Sequence, residues 1–310
     1  MLTLTQINQF HRDGFLVIRG VLSGREVEEL LTAVERCQAE GIAMQGPDHK
    51  YHVHPDGRKV YRRSEKMWGR ADIFQAVTVK PVILEMVGQC IGHTFLPLND
   101  SLVCKLPGGN VPVPWHQDPP YGQETGYEET FPVPNFVTDL YLDRSTVDNG
   151  CVWGIAGHHL VGHVDLRSHT EEALFKNPLA YPIEMEPGDV LLHALSAPHG
   201  SAGNLSDTYR RIFYIHYMAQ EVLQHGYPEI KWMGLPGLYS DTGKAYARGM
   251  MDVRRRMGFA DTVSPQIAWT PDGFTFQGGP VTPPRHWKTL RDAIPEAEAN
   301  AMRHLAWRPA

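Results

Sequence analysis

The stretch Gly188-Asp189-Val190-Leu191-Leu192-His193-Ala194-Leu195-Ser196-Ala197-Pro198-His199-Gly200-Ser201 decides how the chain is read. It runs through the turn Gly203-Asn204-Leu205-Ser206-Asp207 into Tyr209-Arg210-Arg211-Ile212-Phe213-Tyr214-Ile215-His216-Tyr217. Two runs rich in apolar, β-branched and aromatic residues, bounded by Gly, Pro, Asn and Asp, read as strands. The surrounding region from about 95 to 218 repeats the pattern, with clear runs at 102–106, 136–142, 151–153, 189–192 and 209–217. Many short strands separated by turn residues predict a mainly β core, a sandwich or a jelly roll, with the helical N-terminal part packed on its outside. A His entering a turn and an Arg on the returning strand can bring a ligand and a fixed cation into one cavity. Side chains alternate along a strand, so Arg210 shares a face with Ile212, Tyr214 and His216, while Arg211 points the other way.

Upstream lies Pro114-Trp115-His116-Gln117-Asp118-Pro119-Pro120. If this segment is extended, the period of two puts His116 and Asp118 on one side, as two ligands of a single ion require. A lone His-x-Asp is weak evidence. A second histidine, His199, makes the set two imidazoles and one carboxylate. That set occupies one face of an octahedron and leaves positions open for cosubstrate and oxygen, the pattern of non-haem iron(II) oxygenases. Arg210 adds a planar fork suited to a carboxylate.

With these residues in place the chain resembles the phytanoyl-CoA dioxygenase family of iron(II)/2-oxoglutarate oxygenases, whose pattern is His-x-Asp, a distal His and an Arg eleven positions later. His116, Asp118, His199 and Arg210 fit it. Further landmarks are Lys105-Leu106-Pro107-Gly108-Gly109, Asp148-Asn149-Gly150-Cys151 with Gly157 and His159, and Gly188-Asp189. The likeness spans about residues 5 to 220 and implies a double-stranded β-helix, iron held by His116, Asp118 and His199, and 2-oxoglutarate held by Arg210 with help from Lys105 and Ser201. It also implies consumption of O2 and oxidation of a small molecule, hydroxylation by default. Because position 118 is a carboxylate, no ligand site is vacated for chloride. Two departures stand out. Where many members carry a Trp this chain has Asp139, or Thr138 with a one-residue gap; Asp139 is read as a partner for Lys105 or another base, or as a group meeting a polar substrate. Ala156 stands where a Pro usually precedes the Gly-x-His turn. A second reading keeps the metal but lets the substrate bind it without 2-oxoglutarate, making Arg210 dispensable. A third is a metal-free jelly-roll binding module.

The rest of the chain frames this site. Of 310 residues 42% are hydrophobic and 21% charged, and the net charge is −6, so the basic footprint of a nucleic-acid binder is missing. No apolar run is long enough to span a bilayer, and the N-terminus lacks a basic-then-apolar leader, which leads to an expectation of a cytoplasmic enzyme without a membrane partner. Cys37, Cys90, Cys104 and Cys151 lie far apart and read as reduced, buried spectators. The spacing predicts a helix over 5–13, a strand at 15–18, and a helix capped by Ser23 with Glu26 in capping-box position. A further helical stretch covers 71–92, broken at Pro81. Residues 1–94 thus read as a mostly helical part, 95–220 as the core and 221–310 as an extension, all in one domain. The extension includes a helix near 242–257 carrying Arg254-Arg255-Arg256, read as a solvated face, and could form a homodimer arm or wall the site. His158, His163, His193 and His216 read as structural, and residues 45–63 as a polar loop whose His49, His52 and His54 are not a second metal site. Tyr121 is a candidate substrate contact and Gly122 a turn residue. The loops 45–63 and 121–135 and the tail are expected to shape specificity. The sequence has no Gly-x-Ser-x-Gly, P-loop or His-Glu-x-x-His motif.

Overall fold

The computed structural model describes residues 1–92, 94–118, 136–219, 267–270, 273–276 and 287–306. The expected helix near 242–257, Tyr121, Gly122 and the 121–135 insertion lie outside the described residues.

The chain opens with α1 (Leu4–Asp13), which stops at Gly14 in the left-handed region, φ 78°, before β1 (Phe15–Ile18). Ser23 and Glu26 form the expected capping box of α2 (Gly24–Ile42). The stretch 45–63 is not a loop. It contains β2 (His49–Val53) and most of β3 (Lys59–Glu65), paired as an antiparallel hairpin. The predicted 71–92 helix is two, α3 (Asp72–Thr78) and α4 (Pro81–Ile91), with Pro81 in the first turn, where its missing N–H costs nothing. The N-terminal part thus adds a hairpin to the helices that its sequence predicts.

The core strands are β4 (Thr94–Lys105), β5 (Val113–His116), β6 (Phe136–Tyr141), β7 (Val152–Ile155), β8 (Ala180–Ile183), β9 (Val190–Ala194), β10 (His199–Ser201) and β11 (Arg210–Ala219). A helix, α5 (Glu171–Phe175), precedes β8. In the large sheet the order is β1-β9-β6-β11-β4, continued by β13 (Gly273–Phe276) and β12 (Ile267–Thr270), with β3 also on β4. The small sheet runs β5-β10-β7-β8. Every pairing is antiparallel, and the two sheets form the jelly roll.

Alternation along β11 divides the core. Phe213 and Ile215 point outward and pack with α2–α4 through residues such as Leu30, Phe74 and Leu84; the Phe74 and Phe213 rings lie 5.0 Å apart. The opposite face of β11 looks into the space between the sheets. A second apolar cluster covers the small sheet, where Trp115, Ile155 and Leu174 meet Ala299 and Met302 of α7 (Glu296–Arg303), which follows α6 (Trp287–Asp292). The described part of the C-terminal extension thus packs on its own chain. Arg303 Nε donates to Val161 O at 3.0 Å, and Asp165 N–H donates to Arg303 O at 2.8 Å. All four cysteines are buried and free. No described helix is long and apolar enough to cross a membrane.

Candidate active site

Strand β5 ends at His116, directly opposite His199 on β10, so the register of one strand pair sets two imidazoles side by side with ring centroids 4.2 Å apart. Asp118 follows as the chain leaves β5, and its N–H donates to Leu195 O at 3.0 Å. Between them Gln117 points away and is fixed by three buried bonds. Its Nε2 donates to Gly162 O (2.9 Å) and Ser196 O (2.7 Å), and its Oε1 accepts from Val164 N–H (2.8 Å). One potential ligand atom from each of His116, Asp118 and His199 lies within 4.8 Å of the others, the one such group of three or more among the described residues. In both histidines Nδ1 faces a carbonyl two residues earlier: Pro114 O at 2.7 Å for His116 and Ala197 O at 2.9 Å for His199. A carbonyl can only accept, so Nδ1 carries a hydrogen in both, and in the neutral ring it is Nε2 that keeps the lone pair.

Charge in the site is organised around Asp118. Burial alone would raise its pKa, but His116 and His193 hold it well below the usual carboxylate range. Burial drives His199 down to about 3, helped by its two histidine neighbours, so it stays neutral as a ligand must. His193 goes the other way: burial opposes protonation, yet Asp139 and Asp118 raise it to about 9. Its Nδ1 lies 3.2 Å from Asp139 and its Nε2 4.0 Å from Asp118.

The cavity has a volume of about 870 Å³ including its open mouth. On β11, Arg210, Ile212, Tyr214 and His216 line it. Arg211 faces α2 and binds Asp143 through two bonds of 2.8 Å. Arg210 is 2% exposed; its Nε donates to Ser145 Oγ at 3.4 Å, and one terminal nitrogen has no hydrogen-bond partner. A guanidinium buried in that state needs an anion to accept its hydrogens, which is the place a 2-oxoglutarate carboxylate fits. Ser201 also lines the cavity.

Other expectations need correction. Lys105 directs Nζ at backbone carbonyls, Val111 O at 2.9 Å with Ala202 O and Ser201 O, and does not line the cavity; it ties β4 to the loops. It also does not pair with Asp139. Lys105 sits opposite Arg210 and Asp139 opposite Tyr214, four residues along β11, or roughly 13 Å at strand rise. Of the alternatives for Asp139, the partner is the other base, His193, and its side chain also lines the cavity. Thr138 points to the opposite face from Asp139, away from the cavity that Val137 and Asp139 line.

The sequence reading missed Gln117, the membership of His193 and His216 in the cavity wall, and Arg62 and Arg63, which reach it from β3. The histidines were legible as side chains on inward-facing strand positions. The arginines were hidden because the hairpin was not recognised.

A jelly roll that gathers two histidines, an aspartate and a buried arginine short of acceptors around one cavity defines a 2-oxoglutarate-dependent non-haem iron oxygenase. The model of the phytanoyl-CoA dioxygenase (PhyH) family matches residues 10–212, and the chain belongs to that family. It is an iron- and 2-oxoglutarate-dependent dioxygenase, and the reading without 2-oxoglutarate finds no support. A methylphosphonate hydroxylase from Gimesia maris is 27% identical over 221 residues, 70% of this chain and 81% of the relative. A probable alpha-ketoglutarate-dependent hypophosphite dioxygenase from Stutzerimonas stutzeri is 25% identical, covering 70% of this chain and 78% of its own. The epimerase SnoN, solved with Fe3+, alpha ketoglutarate and nogalamycin RO, shares the fold at a TM-score of 0.57 and 19% identity, over 77% of this chain and 91% of SnoN.

Proposed function

We propose that His116 Nε2, Asp118 and His199 Nε2 hold the iron, that Arg210 holds the distal carboxylate of 2-oxoglutarate with Ser201 beside it, and that the enzyme hydroxylates a small metabolite. The observation that carries this is the convergence of the three ligand atoms within 4.8 Å in the cavity into which Arg210 projects. Iron with 2-oxoglutarate, when bound, supplies the oxidising power to insert oxygen from O2 into a C–H bond. The chain's own residues do the positioning. The Pro114 and Ala197 carbonyls fix both imidazoles in the ligand tautomer, Gln117 holds the His-x-Asp segment, and the His193–Asp139 pair fixes the wall behind Asp118. The relatives' names, for methylphosphonate and hypophosphite, support a compact polar substrate. The buried free thiols support a reducing, cytoplasmic setting.

Anaerobic titration of the metal-free protein with iron(II) and 2-oxoglutarate tests the assignment. A weak visible charge-transfer band needing both components is expected, and Arg210→Ala should weaken 2-oxoglutarate binding about 100-fold, the cost of removing a buried charged hydrogen-bond partner. An undiminished band in Arg210→Ala would overturn the role of Arg210. Iron binding that survives His116→Ala and His199→Ala together would overturn the metal site.

A further inference from the structure

The β2–β3 hairpin contains a bulge. Lys50 pairs with Arg63 and Tyr51 with Tyr61, so neighbours on β2 face residues two apart on β3, and Arg62 is the extra residue. In a regular strand Tyr61 and Arg63 would share one face and Arg62 and Ser64 the other. Here Tyr61 and Ser64 share a face: their hydroxyls are 2.5 Å apart, and the Tyr61 ring lies over Gly41 of α2, where a Cβ would come within 2.3 Å of it. Arg62 and Arg63 both line the cavity on the other side. Arg63 belongs to the cross-sheet row Arg63–Val103–Ile212. It is braced there by Ser101 Oγ at 2.9 Å from a terminal nitrogen and the Tyr214 ring at 4.9 Å, and its Nε lies 3.3 Å from Glu65 as an ion pair that leaves the other terminal nitrogen for a ligand. Arg62 makes no ion pair among the described residues. Burial and Arg63 both lower its pKa, as expected of a partly buried cation held beside another cation. Two neighbouring guanidinium groups at the wall of an enzyme cavity offer fork-shaped sets of N–H donors that an oxyanion can accept.

We propose that the substrate carries an oxyanion group, a phosphonate or a carboxylate, that docks on the Arg62–Arg63 pair while Arg210 is occupied by 2-oxoglutarate. This rests on the proposed function above. The bulge is the device that turns both arginines inward, and the anion fixes which end of the substrate faces the triad.

The test uses the full chain with iron(II) and saturating 2-oxoglutarate under anaerobic conditions. Methylphosphonate, inorganic phosphate and propionate are added separately, and binding is followed by calorimetry and by perturbation of the charge-transfer band. At least one probe should bind, and Arg62→Gln and Arg63→Gln should each weaken it tenfold or more. Arg62→Lys should recover part of the loss, and melting temperatures confirm that the variants fold. Preference for methylphosphonate and phosphate assigns a phosphorus oxyanion, and preference for propionate a carboxylate. Probe affinity unchanged in both Gln variants, or no binding by any probe, would overturn the proposal. So would loss of the band in Arg62→Gln before any probe is added, since the pair would then serve 2-oxoglutarate. Absence of the band in the wild type, with calorimetric anion binding intact, would instead mark failure of the iron and 2-oxoglutarate assignment.

Discussion

Gln117 cannot bind the metal, yet its three buried hydrogen bonds fix the residue between two ligands. Gln117→Leu strands the Gly162 and Ser196 carbonyls and the Val164 N–H away from water. The expected result is a loss of about 2–4 kcal/mol in urea unfolding and 10- to 100-fold weaker iron affinity in a chelator competition. His159 gives a pH signature. Burial lowers its pKa to about 3, with a bond to His11 O at 3.2 Å only partly offsetting this. Because the folded state disfavours the proton, its contribution is complete above the unfolded value of about 6.5 and is lost as pH falls from there toward 3. One such group costs about 1.4 kcal/mol per pH unit across that window. Urea unfolding between pH 7.5 and 4.5 should show this slope, and His159→Gln, though less stable at pH 7.5, should show a shallower one.

At the level of elements, the sheets meet where Gly154 of β7 faces Phe15 of β1. A Cβ at 154 would lie 2.6 Å from the Phe15 ring, and Gly154 is also the register partner of His199. Gly154→Ala is therefore expected to cost about 1–3 kcal/mol by overpacking. The same substitution should displace β10 enough to weaken iron binding, measured by the same chelator competition. What sequence could reveal follows from how local the signal is. His116 and Asp118 announce themselves by a two-residue spacing, and the capping box at Ser23 by a three-residue one. Strand β11 shows its faces through alternation, which picked Arg210 over Arg211 for the cavity side. The β2–β3 hairpin stayed hidden because His49-Lys50-Tyr51-His52 is polar on both faces and its bulge breaks the period. Which base Asp139 meets, His193 and not Lys105, stays open in the sequence for a different reason: partnership across a sheet depends on register, which one strand's sequence does not carry.

Across the whole molecule, the site is assembled from both sheets. His116 and His199 come from the small one, Arg210, His193 and Asp139 from the large one. Ligands that engage both should therefore hold the sandwich together. At about 100 times its dissociation constant, 2-oxoglutarate bound to the iron form adds about 2.7 kcal/mol, or roughly 5 °C in melting temperature. A scanning-calorimetry melt should show that increment in wild type and little of it in Arg210→Ala.

The hairpin bulge also bears on how such an enzyme could change over time. An extra residue in a strand is a unit that inheritance can add or remove whole. Deleting the codon for Arg62 would restore regular alternation to β3 and leave a single arginine facing inward, while every strand carrying a metal ligand kept its sequence. Lineages built on this scaffold can thus revise what they oxidise by a length change in one peripheral hairpin, a route that leaves the oxidising machinery outside the mutational target.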